Sequence, residues 1–169
     1  MKKSLGAKTI LYPAPVLVIG TYDKEDRPNV MTAAWGGICC SRPPCVAVAL
    51  REATYTYGNI VLQGGFTINI PSEQHVIYKE FPFVLECKLI QQIEIGLHTQ
   101  FIGEILDIKA DKGVLDQNGQ MDIEKVKPIL YAPEANIYYD LGTFLGNAFS
   151  IGQEVKKKPW NIINDCKNF

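Results

Sequence analysis

The sequence predicts a mostly β protein, an antiparallel barrel carrying a few short helices. Three observations carry this. Short β-branched runs recur between turn signals. The stretch Val84–His98 alternates apolar and polar residues with period two rather than the helical 3.6. The candidate helices are short, each bounded by a capping side chain or a glycine stop.

The elements follow in order. Val16–Tyr22 is β-branched and of strand length. Asp23–Pro28 is a polar turn, and Val30–Ala34 resumes extended structure, so the two runs make a hairpin. Cys45–Leu50 is a third strand, introduced by Pro43 and Pro44, which cannot donate to a ladder. Thr54 caps a short helix that stops at Gly64-Gly65. Phe66–Ile70 is a strand. Ser72 and Glu73 behind Pro71 start another helical turn or two, to about Glu80.

In the long alternation, Leu85, Cys87, Leu89, Ile93, Ile95 and Leu97 share one parity. Glu86, Lys88, Gln92, Glu94 and His98 share the other, and only Ile90 and Gln91 break it. This reads as one half-buried strand, with Phe101–Ala110 as antiparallel partner and Gly103 as candidate bulge. Asp116–Gly119 is a turn, Asp122 caps a short helix from Ile123 to about Leu130, and Asn136–Tyr139 is a last short strand. Leu141–Ala148 reads as a short helix or loop.

Between Arg27 and Arg51 the chain is rich in small residues: Asn29, Thr32, Ala33, Ala34, Gly36, Gly37 and Ser41. So few bulky side chains leave the backbone open to close approach. That suits a flat ligand lying against main chain.

Composition excludes several classes. The 169 residues are read as one domain with a C-terminal tail from 153, and can bury a core. A net charge of −1, from 17 basic and 18 acidic residues, lacks the footprint of a nucleic-acid binder. Lys156–Lys158 reads as a solvated tail. There is no membrane-length apolar run and no signal-peptide pattern, which predicts a cytoplasmic protein. The five cysteines are odd in number and form no CxxC, so neither a disulfide framework nor a metal site is expected. Adjacent Cys39 and Cys40 read as buried free cysteines acting as small apolar residues before they read as a redox pair.

At Asn29–Gly37 followed by Cys40-Ser41-Arg42-Pro43-Pro44 the chain resembles the flavin reductase-like, FMN-binding split-barrel family, nearest its flavoredoxin-like branch. Leu50-Arg51 before Tyr55-Thr56-Tyr57, Phe66–Ser72, His98–Ile105, Tyr138–Gly142 and Leu145-Gly146 continue the match, over residues 12–152. One departure stands out: relatives carry a few dozen more residues between His75–Glu80 and Phe83–Cys87, where Tyr78–Pro82 here crosses directly.

The resemblance implies a Greek-key split barrel, an FMN cofactor and a homodimer with the flavin at its seam. FMN needs positive charge and N–H donors for its phosphate. Arg51, with Thr54 and Thr56 at the next helix start, meets that need, although a capped helix beside a surface arginine is common in any protein. By resemblance Asn29, Met31, Thr32 and Ala33 form the wall for the tricycle, and Cys40, Ser41 and Arg42 continue it. The blander alternatives are turn hydrogen bonds for Asn29, Thr32 and Ser41, and core filling for Met31. His98 either faces the flavin or nicotinamide as a possible catalytic residue, or closes a strand end. His75 reads as a surface residue, Trp35 as a core or dimer-interface residue, and Tyr138 and Tyr139 as lid or interface residues.

Three functions fit: an FMN-dependent oxidoreductase fed by NAD(P)H, an FMN-binding electron carrier served by a redox partner protein, and a split-barrel binding module without cofactor chemistry. No GxGxxG fingerprint occurs, so a nicotinamide would have to stack on the flavin.

Overall fold

The computed structural model describes residues 2–72 and 81–148. The elements run β1 (Ala14–Pro15), β2 (Leu17–Tyr22), β3 (Pro28–Ala33), β4 (Gly36–Ser41), β5 (Pro44–Arg51), α1 (Tyr55–Gln63), β6 (Gly65–Asn69), β7 (Phe83–Ile95), β8 (His98–Ala110), a 3-10 turn (Lys112–Val114), α2 (Ile123–Val126), β9 (Leu130–Ala132) and β10 (Ile137–Tyr139). Seven strands form one sheet in the order β3-β2-β6-β7-β8-β5-β4, and β1-β9-β10 form a second. Every strand pair is antiparallel.

Strands β3 and β4 are the two edges of the large sheet, yet only Ala34 and Trp35 separate them in the chain. Such a link spans at most about 10 Å. The sheet must therefore curl until its edges meet at Trp35, whose carbonyl accepts the Ala49 N–H at 2.8 Å. Gly36 permits that meeting: a Cβ there would lie 2.7 Å from the Ala47 carbonyl oxygen and 2.8 Å from Leu17 Cδ1.

The core inside the curl is Leu17, Ile19, Val46, Val48, Leu50, Ile60, Phe66, Ile68, Leu85, Cys87 and Phe101. Helix α1 carries the chain from β5 across to β6 and packs on β2, β3 and β6. Thr54 caps it, Oγ1 accepting from the Tyr57 N–H, and Gly64 ends it in the left-handed region at φ 66°. Among the described residues no helix is long and apolar enough to cross a membrane.

Several expectations change in the folded chain. The long alternation is not one strand: β7 stops at Ile95, Gly96 turns at φ 54°, and His98 opens β8. Alternation ran through the turn unbroken because a two-residue connection preserves parity. The half-burial holds only for the first part of β7. Ile90, Ile93 and Ile95 are exposed because the hairpin extends beyond the core.

The bulge on β7 is Ile90, the residue that breaks the alternation, and Leu106 is its counterpart on β8. Gly103 keeps regular pairing. Its missing side chain instead makes room for Phe66, whose ring lies 2.7 Å from where a Cβ would sit. Helix α2 is shorter than expected: Lys127 turns left-handed at φ 48° ahead of Pro128. Residues 141–147 carry no helix. Strand β4 itself had no sequence counterpart, since its small, exposed residues show no period-two contrast. The helix expected near Ser72–Glu80, His75, the direct crossing at 78–80 and the lysine run at 156–158 lie outside the described residues.

Candidate functional site

The candidate residues gather at two places, at opposite ends of β5. At its C-terminal end Arg51 is followed at once by the start of α1. The Thr54 hydroxyl donates to the Arg51 carbonyl at 2.8 Å while it caps the helix. Thr56, only 1% exposed, accepts from Asn29 Nδ2 at 2.8 Å. Asn29 belongs to edge strand β3, opposite Thr21 of β2, and Thr21 Oγ1 accepts from Asn59 Nδ2 at 3.1 Å. These four side chains tie the edge of the sheet to the first turns of α1.

A buried carboxylate braces the same junction from behind. Asp23, just after β2, is 3% exposed. Its Oδ1 accepts the N–H groups of Glu25 (2.8 Å) and Arg27 (3.0 Å), and its Oδ2 accepts Arg27 Nε (2.8 Å) and the Tyr55 hydroxyl (2.9 Å). The Arg27 N–H, more than any other group, holds this carboxyl well below the usual carboxylate range, against the opposing effect of burial. The Asp23 carbonyl also accepts Gln63 Nε2 at 3.0 Å, from the last turn of α1. Sequence reasoning passed over Asp23 within a polar turn. An aspartate that ends a strand and receives the N–H two residues on was a legible signal, but the link to Tyr55 was not.

The Thr54 and Thr56 hydroxyls are thus engaged within the chain. Arg51 is not: it is exposed, and its side chain has no ion pair or hydrogen bond among the described residues. It borders a 380 Å³ cavity with Glu52, Ala53, Gly96 and Leu97. The first turn of α1 has no acidic residue. Arg51 and the α1 N-terminus favour an anion there, and the Glu52 carboxylate beside them opposes it.

Along β3, burial alternates. Asn29, Met31 and Ala33 turn inward, and Met31 and Ala33 pack against the core. Val30 and Thr32 face out. Met31 and Ala33, expected in a ligand wall, thus pack inward, and what β3 offers outward is Val30, Thr32 and its backbone edge.

At the other end of β5, Cys40, Ser41 and Arg42 are exposed on the β4–β5 hairpin. Cys40 stands opposite Cys45 and Ser41 opposite Pro44. From Pro44 to Arg51 the strand runs about 23 Å. One chain therefore does not bring Cys40, Ser41 and Arg42 together with Arg51, Thr54 and Thr56.

His98 lies opposite Arg51 across the β5–β8 pairing. Its ring packs on Trp35 at 4.7 Å between centroids and lines a 710 Å³ cavity with Trp35, Ile38, Ala49, Ile95 and Gln100. Trp35 is exposed rather than part of the core. Tyr138 and Tyr139 are exposed on β10, Tyr138 against Tyr131 at 5.7 Å.

Known proteins share both the sequence pattern and this fold. Residues 9–81 match the flavin reductase like domain. The fold is similar to flavoredoxin of Desulfovibrio vulgaris (Miyazaki F), at 47% identity, covering 90% of this chain and 100% of that one, with a TM-score of 0.84. It is similar to flavoredoxin from Methanosarcina acetivorans, at 24% identity, 92% and 100% coverage and a TM-score of 0.84. A protein with a split barrel domain from Shewanella frigidimarina NCIMB 400 shares the fold at 17% identity, 82% and 87% coverage and a TM-score of 0.72. The curled, mostly antiparallel sheet is thus a split barrel, and the chain belongs to the flavin reductase-like family, in its flavoredoxin branch.

Proposed function

We propose that this chain is an FMN-binding flavoprotein that works as an oxidoreductase, taking electrons from NAD(P)H and passing them to a flavin, a metal centre or a partner protein. The carrying observation is the junction of β5, α1 and β3. There Arg51, unengaged among the described residues, adjoins a helix N-terminus, and the Asn29–Thr56 hydrogen bond keeps a strand edge beside both.

These residues fit FMN. Arg51 and the first-turn N–H groups of α1 would hold the phosphate, with Thr54 and Thr56 shaping that turn. The backbone edge and outward side chains over Asn29–Ala33 would lie along the tricycle and its pyrimidine rim. Bound FMN supplies reversible acceptance and release of two electrons. The chain's own work is position and electrostatics, with His98, opposite Arg51 on the neighbouring strand, the candidate to bind or orient a nicotinamide.

We assign Cys40, Ser41 and Arg42 to the same ligand through a second copy of the chain, since about 23 Å of strand separates them from Arg51 within one copy. Exposed Trp35, Ile38, Ile93, Ile95 and Leu97 supply an apolar surface for such a homodimer. The chain is read as one domain acting in the cytoplasm.

The 47% identity to a flavoredoxin favours a second reading, an FMN electron carrier with no NAD(P)H activity of its own. Anaerobic mixing separates the two. Bleaching of the flavin band by NADH or NADPH supports the oxidoreductase. Bleaching only by a reducing partner supports the carrier. A protein that retains no flavin after FMN loading and desalting overturns both in favour of a binding module.

Arg51→Ala is expected to weaken FMN binding about tenfold to hundredfold, the worth of a charge-assisted hydrogen bond. Unchanged affinity, measured by flavin fluorescence titration, removes Arg51 from the phosphate site.

A further inference from the structure

The β4–β5 hairpin, whose Cys40 the proposed function places against the ligand only in a dimer, carries in the free chain a thiol pair whose redox chemistry that reading does not use. Cys40 stands directly opposite Cys45 on neighbouring antiparallel strands. Cys39 is the extra residue where the register shifts between Ile38 and Cys40. Opposed residues in such a ladder have Cα atoms about 4.5–5.5 Å apart and side chains on one face of the sheet. A disulfide needs about 4.4–6.8 Å. Regular ladder spacing at this pair falls within the bridging range, and all four described cysteines are free thiols.

The pair is unequal in access. Cys39 and Cys40 are exposed, whereas Cys45 is 3% exposed. Burial above all pushes the Cys45 thiol up, and the neighbouring Cys40 and Cys39 add to this. A reagent in solution meets Cys39 and Cys40 before Cys45, and of the two only Cys40 pairs with Cys45 across the ladder. Among the described residues no group of three or more His, Cys, Asp or Glu side chains is arranged to hold a metal ion.

We propose that Cys40 and Cys45 form a reversible cross-strand disulfide by exchange with low-molecular-weight disulfides, Cys40 attacking first and Cys45 resolving. The Cys40 thiolate attacks one sulfur of the small disulfide, forming a mixed disulfide and expelling one thiolate. The Cys45 thiolate then attacks Cys40 Sγ and expels the second. The two protein thiols lose two electrons and two protons in all. The small disulfide gains them as two free thiols. A dithiol reverses the sequence. Closure staples edge strand β4 to β5.

The test uses the full chain, reduced, then treated with excess glutathione disulfide, trapped with acid and mapped by tandem mass spectrometry. The expected main product is a Cys40–Cys45 cross-link that dithiothreitol removes. Cys39→Ser retains it, Cys40→Ser abolishes it, and Cys45→Ala halts at glutathione on Cys40. The proposal is overturned if wild-type Cys45 stays a free thiol while Cys39 or Cys40 carries glutathione. It is equally overturned by a Cys39–Cys40, Cys39–Cys45 or inter-chain Cys40 link. The wild-type map alone decides, so a poorly folding Cys45 variant does not weaken the test.

Discussion

The two ends of strand β5 are built on opposite principles. At the C-terminal end the polar side chains around Arg51 are engaged: Thr54 with the helix, Thr56 with Asn29, Asn59 with Thr21, and Asp23 with two backbone N–H groups, Arg27 and Tyr55. At the N-terminal end Cys39 to Arg42 face solvent, with a thiol contact from Cys40 Sγ to the Arg42 carbonyl at 3.4 Å. Rigidity is thus concentrated where geometry has to be held. The braced end fixes the edge strand and leaves Arg51, unengaged among the described residues, for a ligand. At the open end the side chains of Cys39 to Arg42 are exposed on a paired hairpin, so its groups are available to reagents or to a second subunit.

The largest expected break in this contrast comes at Gly36, opposite Val48 near the braced end. An alanine there drives a Cβ against backbone that cannot swing aside. Gly36→Ala is expected to destabilise by about 3 kcal/mol, the upper end of overpacking. Gly37→Ala, one residue toward the open end with nothing within 4 Å, is expected to be neutral or stabilising by under about 1 kcal/mol. Urea midpoints of the two variants decide it, and equal midpoints would refute the tight seam.

Next in size is Thr56→Val, which keeps the shape but removes the 2.8 Å acceptor of the Asn29 amide and leaves it only Thr21 Oγ1 at 3.5 Å. It is expected to cost about 1–2 kcal/mol by urea unfolding. Ser41→Ala at the open end, measured the same way, is expected to stay within about 0.5 kcal/mol. A Ser41→Ala loss as large as that of Thr56→Val would erase the distinction between the ends.

The subtlest effect is on pH. The folded pKa of Asp23 lies below its unfolded value. Its contribution to stability is therefore present above about pH 4, the ordinary aspartate range, and is lost as the pH falls further. The wild type is expected to lose stability through that window, and Asp23→Asn to be less stable at neutral pH with a flatter acid limb. A parallel acid limb in the variant would assign the loss to other carboxylates.

Local features were legible in the sequence. A β-branched run of strand length located β2, a short run behind Pro43 and Pro44 located β5, and period-two contrast located β7. Thr54 and Gly64 marked both ends of α1, Asp122 the start of α2, and Asp116–Gly119 a turn, which closes with the Gly119 N–H on the Asp116 carbonyl at 3.1 Å. Each of these signals acts within a few residues, so it survives without the fold. The small-residue tract and Arg51 likewise pointed to the junction of β3, β5 and α1.

Features that depend on partners far along the chain emerged only on folding. Parity along β7 could not say which half of the strand would be covered. Cover comes from β6 and the core, so Leu85 is buried while Ile95, on the same parity, is exposed. The same holds for strand β4, seen only through its ladder to β5, and for Asp23, buried beside a tyrosine 32 residues away. It holds for Cys40 and Cys45, placed face to face by register. Propensity and caps are properties of neighbours in sequence. Burial, strand pairing and the meeting of functional side chains are properties of neighbours in space, and only the curled sheet chooses those.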